Sequence, residues 1–209
     1  WVADIESAKN WQFRTLFDGE KMLSRARSAG FVPTMECPKP SLAHRWQEMN
    51  TLGFPEGALR NWDNLEDVEI FIRPTHQWLV NYLPIEKVDE QNGIATTSIP
   101  GTYRLSKVVK KNWDETCWVE NVLEALDKPG EWVLNSKTGK LYYWPESGKP
   151  GDNISAPVVR ELVLVEGRNV DAIEGDMPVR GLIFDGLTFT GGDRDVWTVE
   201  DRGIQHDWD

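Results

Sequence analysis

The sharpest hydrophobic rhythm lies between Glu131 and Pro145. Trp132 and Leu134 alternate on one arm, and Leu141, Tyr142, Tyr143 and Trp144 crowd a second. Aromatic and β-branched residues suit a pleated, half-buried surface. Asn135 to Gly139 supplies turn chemistry between the arms, and Pro145 cannot donate to a ladder. The pattern predicts a β-hairpin. Trp11 to Arg27 reads as another, with Trp11, Phe13, Leu16 and Phe17 leading into Asp18-Gly19. On its return arm Arg25 and Arg27 share one face at period two. They are either a solvated arginine face or salt-bridge partners that anchor the next segment.

Further strands are predicted at Val68–Ile72, Trp78–Val80, Pro84–Val88 and Ile94–Ile99, the last opened by Asn92-Gly93. Phe31 to Leu59 is interrupted by Pro33, Pro38, Pro40 and Pro55. It reads as a long excursion with a helical turn or two at Leu42–Met49, capped by Ser41. The spacing of Val119, Val122, Leu123 and Leu126 predicts a helix over 115–126, ended by Pro129-Gly130. Past Pro145 the rhythm changes, and Pro150-Gly151-Asp152 marks a break. Two similar phrases follow, Glu161–Gly167 and Gly181–Thr190, with Leu162 and Leu182 twenty residues apart. A short apolar strand recurring at that period suits the rungs of a solenoid, and a third rung is expected from Gly203.

Composition narrows the reading. Hydrophobic residues make up 40% of the 209, enough for a core. Eleven tryptophans fit a β-rich core or sugar-stacking surfaces. A net charge of −11 with no basic run argues against nucleic acid as a partner. No stretch reaches the roughly 18 apolar residues of a membrane span. Cys37 and Cys117 form either one disulfide or two buried thiols, without metal-ligand spacing. Only three histidines occur; His44 and His76 lack ligand-type neighbours, so no metal or cofactor is expected. No Ser-His-Asp triad and no phosphate-cradling loop is legible. The chain opens on Trp1 and stops at Asp209 within a Trp- and Asp-rich phrase, so it reads as an excerpt of a longer protein.

Several phrases together resemble a known group. They are Trp118–Leu126, Pro129–Leu134, Gly139–Pro145 and Gly181–Phe189, with Arg25-Ala26-Arg27 after the Asp18-Gly19 turn and Gln205–Trp208 near the end. They are similar to bacterial right-handed parallel β-helix proteins of the glycoside hydrolase family 141-like set. That set usually has a proline soon after the Arg-Ala-Arg motif; here Ser28-Ala29-Gly30 follows. The resemblance implies a mainly β protein. A β-rich accessory module, sandwich- or barrel-like, would span residues 1–150, and the first rungs of the parallel β-helix would occupy 151–209. It implies export and a glycan substrate, family members acting as fucosidases or xylanases.

Glycoside hydrolysis needs two carboxylates flanking the scissile bond. Asp185, Asp193, Asp195, Glu200, Asp201, Asp207 and Asp209 are the acidic residues near the C-terminus, and sequence does not pair them in space. The resemblance implies catalytic carboxylates beyond Asp209, so no catalytic residue is assigned. His206, Asp207 and Trp208 form the most site-like cluster: a Trp face stacks on sugar rings, and His and Asp bond hydroxyls. The bland alternative is a loop-packing Trp beside solvated acids. The aromatic hairpin divides the same way, between a sugar platform and a packed joint. A non-catalytic carbohydrate-binding or structural protein is therefore the rival to the hydrolase reading, and the exposure of Trp132, Tyr143 and Trp144 discriminates.

Overall fold

Alternation along Val68–Ile72 decides where the core lies. In the computed structural model Val68, Ile70 and Ile72 are fully buried on one side of this strand, and Glu69 and Phe71 point to the other. The structure describes residues 1–5, 9–37, 49–73, 80–108, 117–167 and 178–195. In chain order the strands are β1 (Val2–Asp4), β2 (Phe17–Asp18), β3 (Lys21–Met22), β4 (Ser24–Arg25), β5 (Glu36–Cys37), β6 (Thr51–Gly53) and β7 (Glu69–Ile72). They continue as β8 (Asn81–Asp89), β9 (Ile94–Thr97), β10 (Lys107–Val108), β11 (Cys117–Glu120), β12 (Glu131–Asn135), β13 (Lys140–Tyr143) and β14 (Ile154–Ser155).

These strands form four sheets, none of them closed, so the described protein is mainly β as expected. The largest is antiparallel, in the order β11-β7-β8-β9-β6. A second runs β1-β13-β12-β4, and β14-β2-β3 and β10-β5 are smaller. The two large sheets are tied by one crossing segment. β4 pairs in parallel with β12, and the chain then runs along β11 through bridges Arg27↔Glu120 and Phe31↔Cys117. Ala26, between the two arginines, is completely buried at that crossing.

The aromatic hairpin forms as predicted. β12 and β13 pair in the register Trp132↔Tyr143 to Asn135↔Lys140. Gly139 closes the turn at φ 70, and a Cβ there would sit 2.6 Å from the Ile5 carbonyl oxygen. An L side chain would meet both backbone strain and a steric clash. β12 is buried on both faces. Val133 joins the core under the five-stranded sheet, while Trp132 and Leu134 join a second core with Phe13, Leu16, Leu23, Leu141 and Tyr143.

Other expectations are met more narrowly. The Asp18-Gly19 turn lies between β2 and β3, with Gly19 at φ 62. Pro84–Val88 falls inside β8, and of the strand expected over Ile94–Ile99 the first four residues form β9, which ends at Thr97. The helical turn at Leu42–Met49, apart from Met49, and His44, His76, Trp78 and Leu79 lie outside the described residues.

The helix expected over 115–126 is corrected. Cys117–Glu120 is strand β11, followed by one 3-10 turn at Leu123–Ala125. Cys117 and Val119 are fully buried and Trp118 and Glu120 half-buried, a period of two. Asn121 then breaks any helix at φ 68. It is held there by the neighbouring sheet: its carboxamide donates to the carbonyls of Leu134 (2.7 Å) and Asp67 (3.1 Å) and accepts from Leu134 N–H (2.8 Å). Pairing with β7 overrides a local helical spacing, as tertiary context commonly does.

The two repeat phrases form no strands. Leu162, Val163, Leu164 and Val165, and Leu182, Ile183, Phe184, Leu187 and Phe189, are all exposed. A solenoid rung buries its apolar face only against neighbouring rungs.

Candidate functional site

Burial settles what the hairpin aromatics do. Trp132 is 0% exposed, Tyr143 6% and Trp144 45%. The Trp132 ring stacks on Phe13 at 5.6 Å, and its Nε1–H donates to the Leu23 carbonyl at 3.3 Å. With two of the three rings inside, the hairpin offers no row of coplanar exposed aromatics for a sugar.

Chemistry gathers instead on the outer face of the five-stranded sheet. The antiparallel register sets Glu69 on β7 directly opposite Glu120 on β11, and Phe71 opposite both Trp118 and Tyr82. Phe71 and Trp118 stack with centroids 3.7 Å apart, and Tyr82 meets Phe71 edge-on at 5.2 Å. Arg27 lies 5.1 Å over Trp118, and Arg194 lies 4.5 Å over Tyr82. An aromatic row is thus covered by guanidiniums at both ends.

The carboxylate of Glu69, 4% exposed, is the hub. Arg14 Nε donates to it at 3.0 Å and Arg194 at 2.6 Å, and Arg25 makes a short hydrogen bond to it. Arg25 also reaches the Asp67 carbonyl at 3.1 Å and Glu120 at 3.8 Å. Burial works against the charged form of Glu69. The guanidiniums of Arg25, Arg194 and Arg14 overcome it and hold the carboxyl at about 2. Of the two readings of Arg25 and Arg27, the structure selects salt-bridge anchoring for Arg25. Arg27 is exposed and rests on a ring.

Two further clusters fix this region. Asp67 accepts hydrogen bonds from Ser136 N–H (2.7 Å) and Ser136 Oγ (2.6 Å), and burial pushes its carboxyl up. Asp193 accepts from the backbone N–H groups of Arg14 (2.8 Å) and Thr15 (2.9 Å) and from the Thr15 hydroxyl (3.0 Å). The segment 192–194 is thereby seated on the sheet. A cleft of about 770 Å³ opens along this seam, lined by Arg25, Arg27, Tyr82, Glu120, Lys128 and Arg194, among others.

Glu69 and Glu120 are a carboxylate pair, but they do not form an acid–base pair. A general acid near neutral pH needs a raised pKa, and Glu69 is buried and held at about 2. The cluster is a structural junction. No group of acidic, histidine and cysteine side chains among the described residues can hold a metal ion.

Of the acidic residues singled out from sequence, Asp193 is committed to Arg14 and Thr15, Asp195 pairs with Arg160 at 3.2 Å, and Asp185 is exposed. His206, Asp207 and Trp208, with Glu200, Asp201 and Asp209, lie outside the described residues. Sequence reasoning passed over Glu69, Arg14 and Glu120. The available signal was one acidic residue inside the apolar strand Val68–Ile72, in a chain with arginines at period two.

Comparison with known proteins adds three findings. The family model described as "GH141 insertion domain" matches residues 1–146. No curated protein matches the chain. A solved structure named "Glycoside hydrolase" superposes with a TM-score of 0.52 at 21% identity. The match covers 79% of this chain and 30% of that one, and at such identity it speaks for the fold alone.

Proposed function

Because the chain belongs to the GH141 insertion domain family over residues 1–146, we propose that it is part of an exported bacterial glycoside hydrolase acting on poly- or oligosaccharide. In this reading residues 1–150 are an accessory module, and 151–209 begin a right-handed parallel β-helix that carries the chemistry on later rungs. The family match is the observation that carries it. The exposed apolar phrases at 161–167 and 181–190 support it, because they present the unpartnered faces that stacking rungs cover. Two carboxylates of the junction support it too. Glu69 is buried, Asp193 is bonded inward, and neither is available as an acid or a nucleophile.

The proposed role of the module is positional: it holds the first part of the catalytic fold through the Glu69 and Asp193 junctions. His206, Asp207 and Trp208 are proposed as sugar contacts at the start of the substrate cleft. The test is hydrolysis of plant and host polysaccharides by the full-length protein and by the 209-residue chain. The full-length protein is expected to release reducing ends from a subset of glycans, and the shorter chain from none. Absence of turnover by the full-length protein on every glycan would sink the enzyme reading and favour a non-catalytic carbohydrate-binding protein.

A further inference from the structure

The cleft along the seam has the size of a small-molecule site, and such sites favour the boundary between structural units. One wall comes from β3, β4 and the Lys128–Gly130 turn, inside the family-matched region, and another from Gly192–Arg194 beyond it. The protein as a whole carries a net charge of −11, yet the cleft presents the opposite sign. Its carboxylates are committed inward. Glu131 accepts from the backbone N–H groups of Asp127 and Lys128, at 3.3 and 3.1 Å. Asp193 is bonded to Arg14 and Thr15, and Glu120 accepts from Trp118 Nε1 at 3.0 Å. The one well-exposed carboxylate of the lining, Glu146, is paired with Lys21 at 2.6 Å.

Two cations are left over. Arg27 is exposed and, among the described residues, makes no ion pair; its guanidinium rests on the Trp118 ring. Lys128 is 66% exposed, and its contact with Asp127 at 3.8 Å is weak and screened. Behind them, Arg25 and Arg194 are fixed by Glu69, so the wall does not have to reorganise around a ligand. Tyr82 and the exposed Met22 add apolar surface for a ring face.

Resting on the glycan reading above, we infer that this cleft binds a carboxylate-bearing sugar, with Arg27 and Lys128 as the cations that meet the acid group. The Arg27 guanidinium lies over the Trp118 ring, 5.1 Å from its centroid, and its N–H groups are available to a uronic acid carboxylate as a two-pronged donor. A neutral sugar of the same shape offers neither cation a charged group.

The test is calorimetric titration of the 209-residue chain with a uronic acid trisaccharide, its carboxyl-reduced neutral counterpart, and inorganic sulfate. The acidic trisaccharide is expected to bind about tenfold or more tightly than the neutral one, the effect of one charge-assisted hydrogen bond. Arg27→Ala and Lys128→Ala should each remove most of that preference, and Arg27→Lys should keep part of it. Arg27 and Lys128 are exposed, so these variants keep the fold. Equal binding of the acidic and neutral sugars would overturn the inference and leave the glycan reading standing. Binding of neither sugar, sulfate matching the acidic sugar, or a preference unchanged in both alanine variants would also overturn it. Turnover by the full-length protein is measured separately and bears only on the hydrolase reading.

Discussion

Replacing Glu69 by Gln keeps the shape of the side chain and removes the charge that three guanidiniums share. Its carboxyl falls from an ordinary 4.5 to about 2 in the folded protein. At roughly 1.4 kcal/mol per pH unit that difference is worth about 3 kcal/mol of stability at neutral pH. The figure agrees with the roughly 3–5 kcal/mol lost when one partner of a buried ion pair is deleted. For a chain of this length it corresponds to a fall in Tm of about 10 °C. The sign with pH follows from the direction of the shift. A carboxyl depressed on folding contributes fully above its unfolded pKa and loses the contribution as pH falls through the folded one. The window is therefore pH 4.5 down to about 2. Urea denaturation of the wild type and Glu69→Gln, across pH 2 to 7, measures this. The two stability curves should lie about 3 kcal/mol apart at pH 7, draw together below pH 4.5 and meet only near pH 2. Burial pushes Asp67 the other way, and it cancels in the difference. Curves within about 1 kcal/mol at pH 7, or parallel throughout the acid range, would refute the claim that Glu69 is a charged hub.

Three other outcomes follow from the same geometry. Trp132→Ala removes a fully buried ring and should cost about 3–5 kcal/mol in a denaturant titration, whereas Trp144→Ala, at 45% exposed, should leave the midpoint nearly unchanged. Asn121→Ala loses three hydrogen bonds and places alanine at φ 68; it should destabilise by about 2–4 kcal/mol, and Asn121→Gly by less, since glycine tolerates the backbone angle. Asp193→Ala removes the acceptor for Arg14 and Thr15 N–H, so hydrogen exchange at those two amides should accelerate while the amides of β12 keep their protection.

What could be read in advance was local. The hairpin at Glu131–Pro145 is written in alternation and turn chemistry, and its strands fall where the pattern puts them. Val68–Ile72 and Ile94–Thr97 were legible for the same reason. The helix predicted at 115–126 failed because Val119, Val122, Leu123 and Leu126 fit a helical face, while Cys117–Glu120 also fits period two. Only the open edge of β7 decides between them. The faces of the hairpin were undecided for a related reason: alternation separates two sides but does not say what lies against either. Trp132 and Val133 are buried on opposite sides because two cores meet across β12.

The sequence by itself determined the β character, the hairpins and their turns, because these depend on neighbours a few residues apart. The family resemblance was legible there too, carried by short contiguous phrases. The tertiary structure alone decided the junction at Glu69. Its three guanidiniums come from positions 44, 55 and 125 residues away, and the Arg27 cleft is assembled from the same distant segments. No spacing in the chain encodes such a meeting. It arises when sheet register brings Glu69 and Glu120 opposite each other and burial makes the charge of Glu69 depend on finding partners.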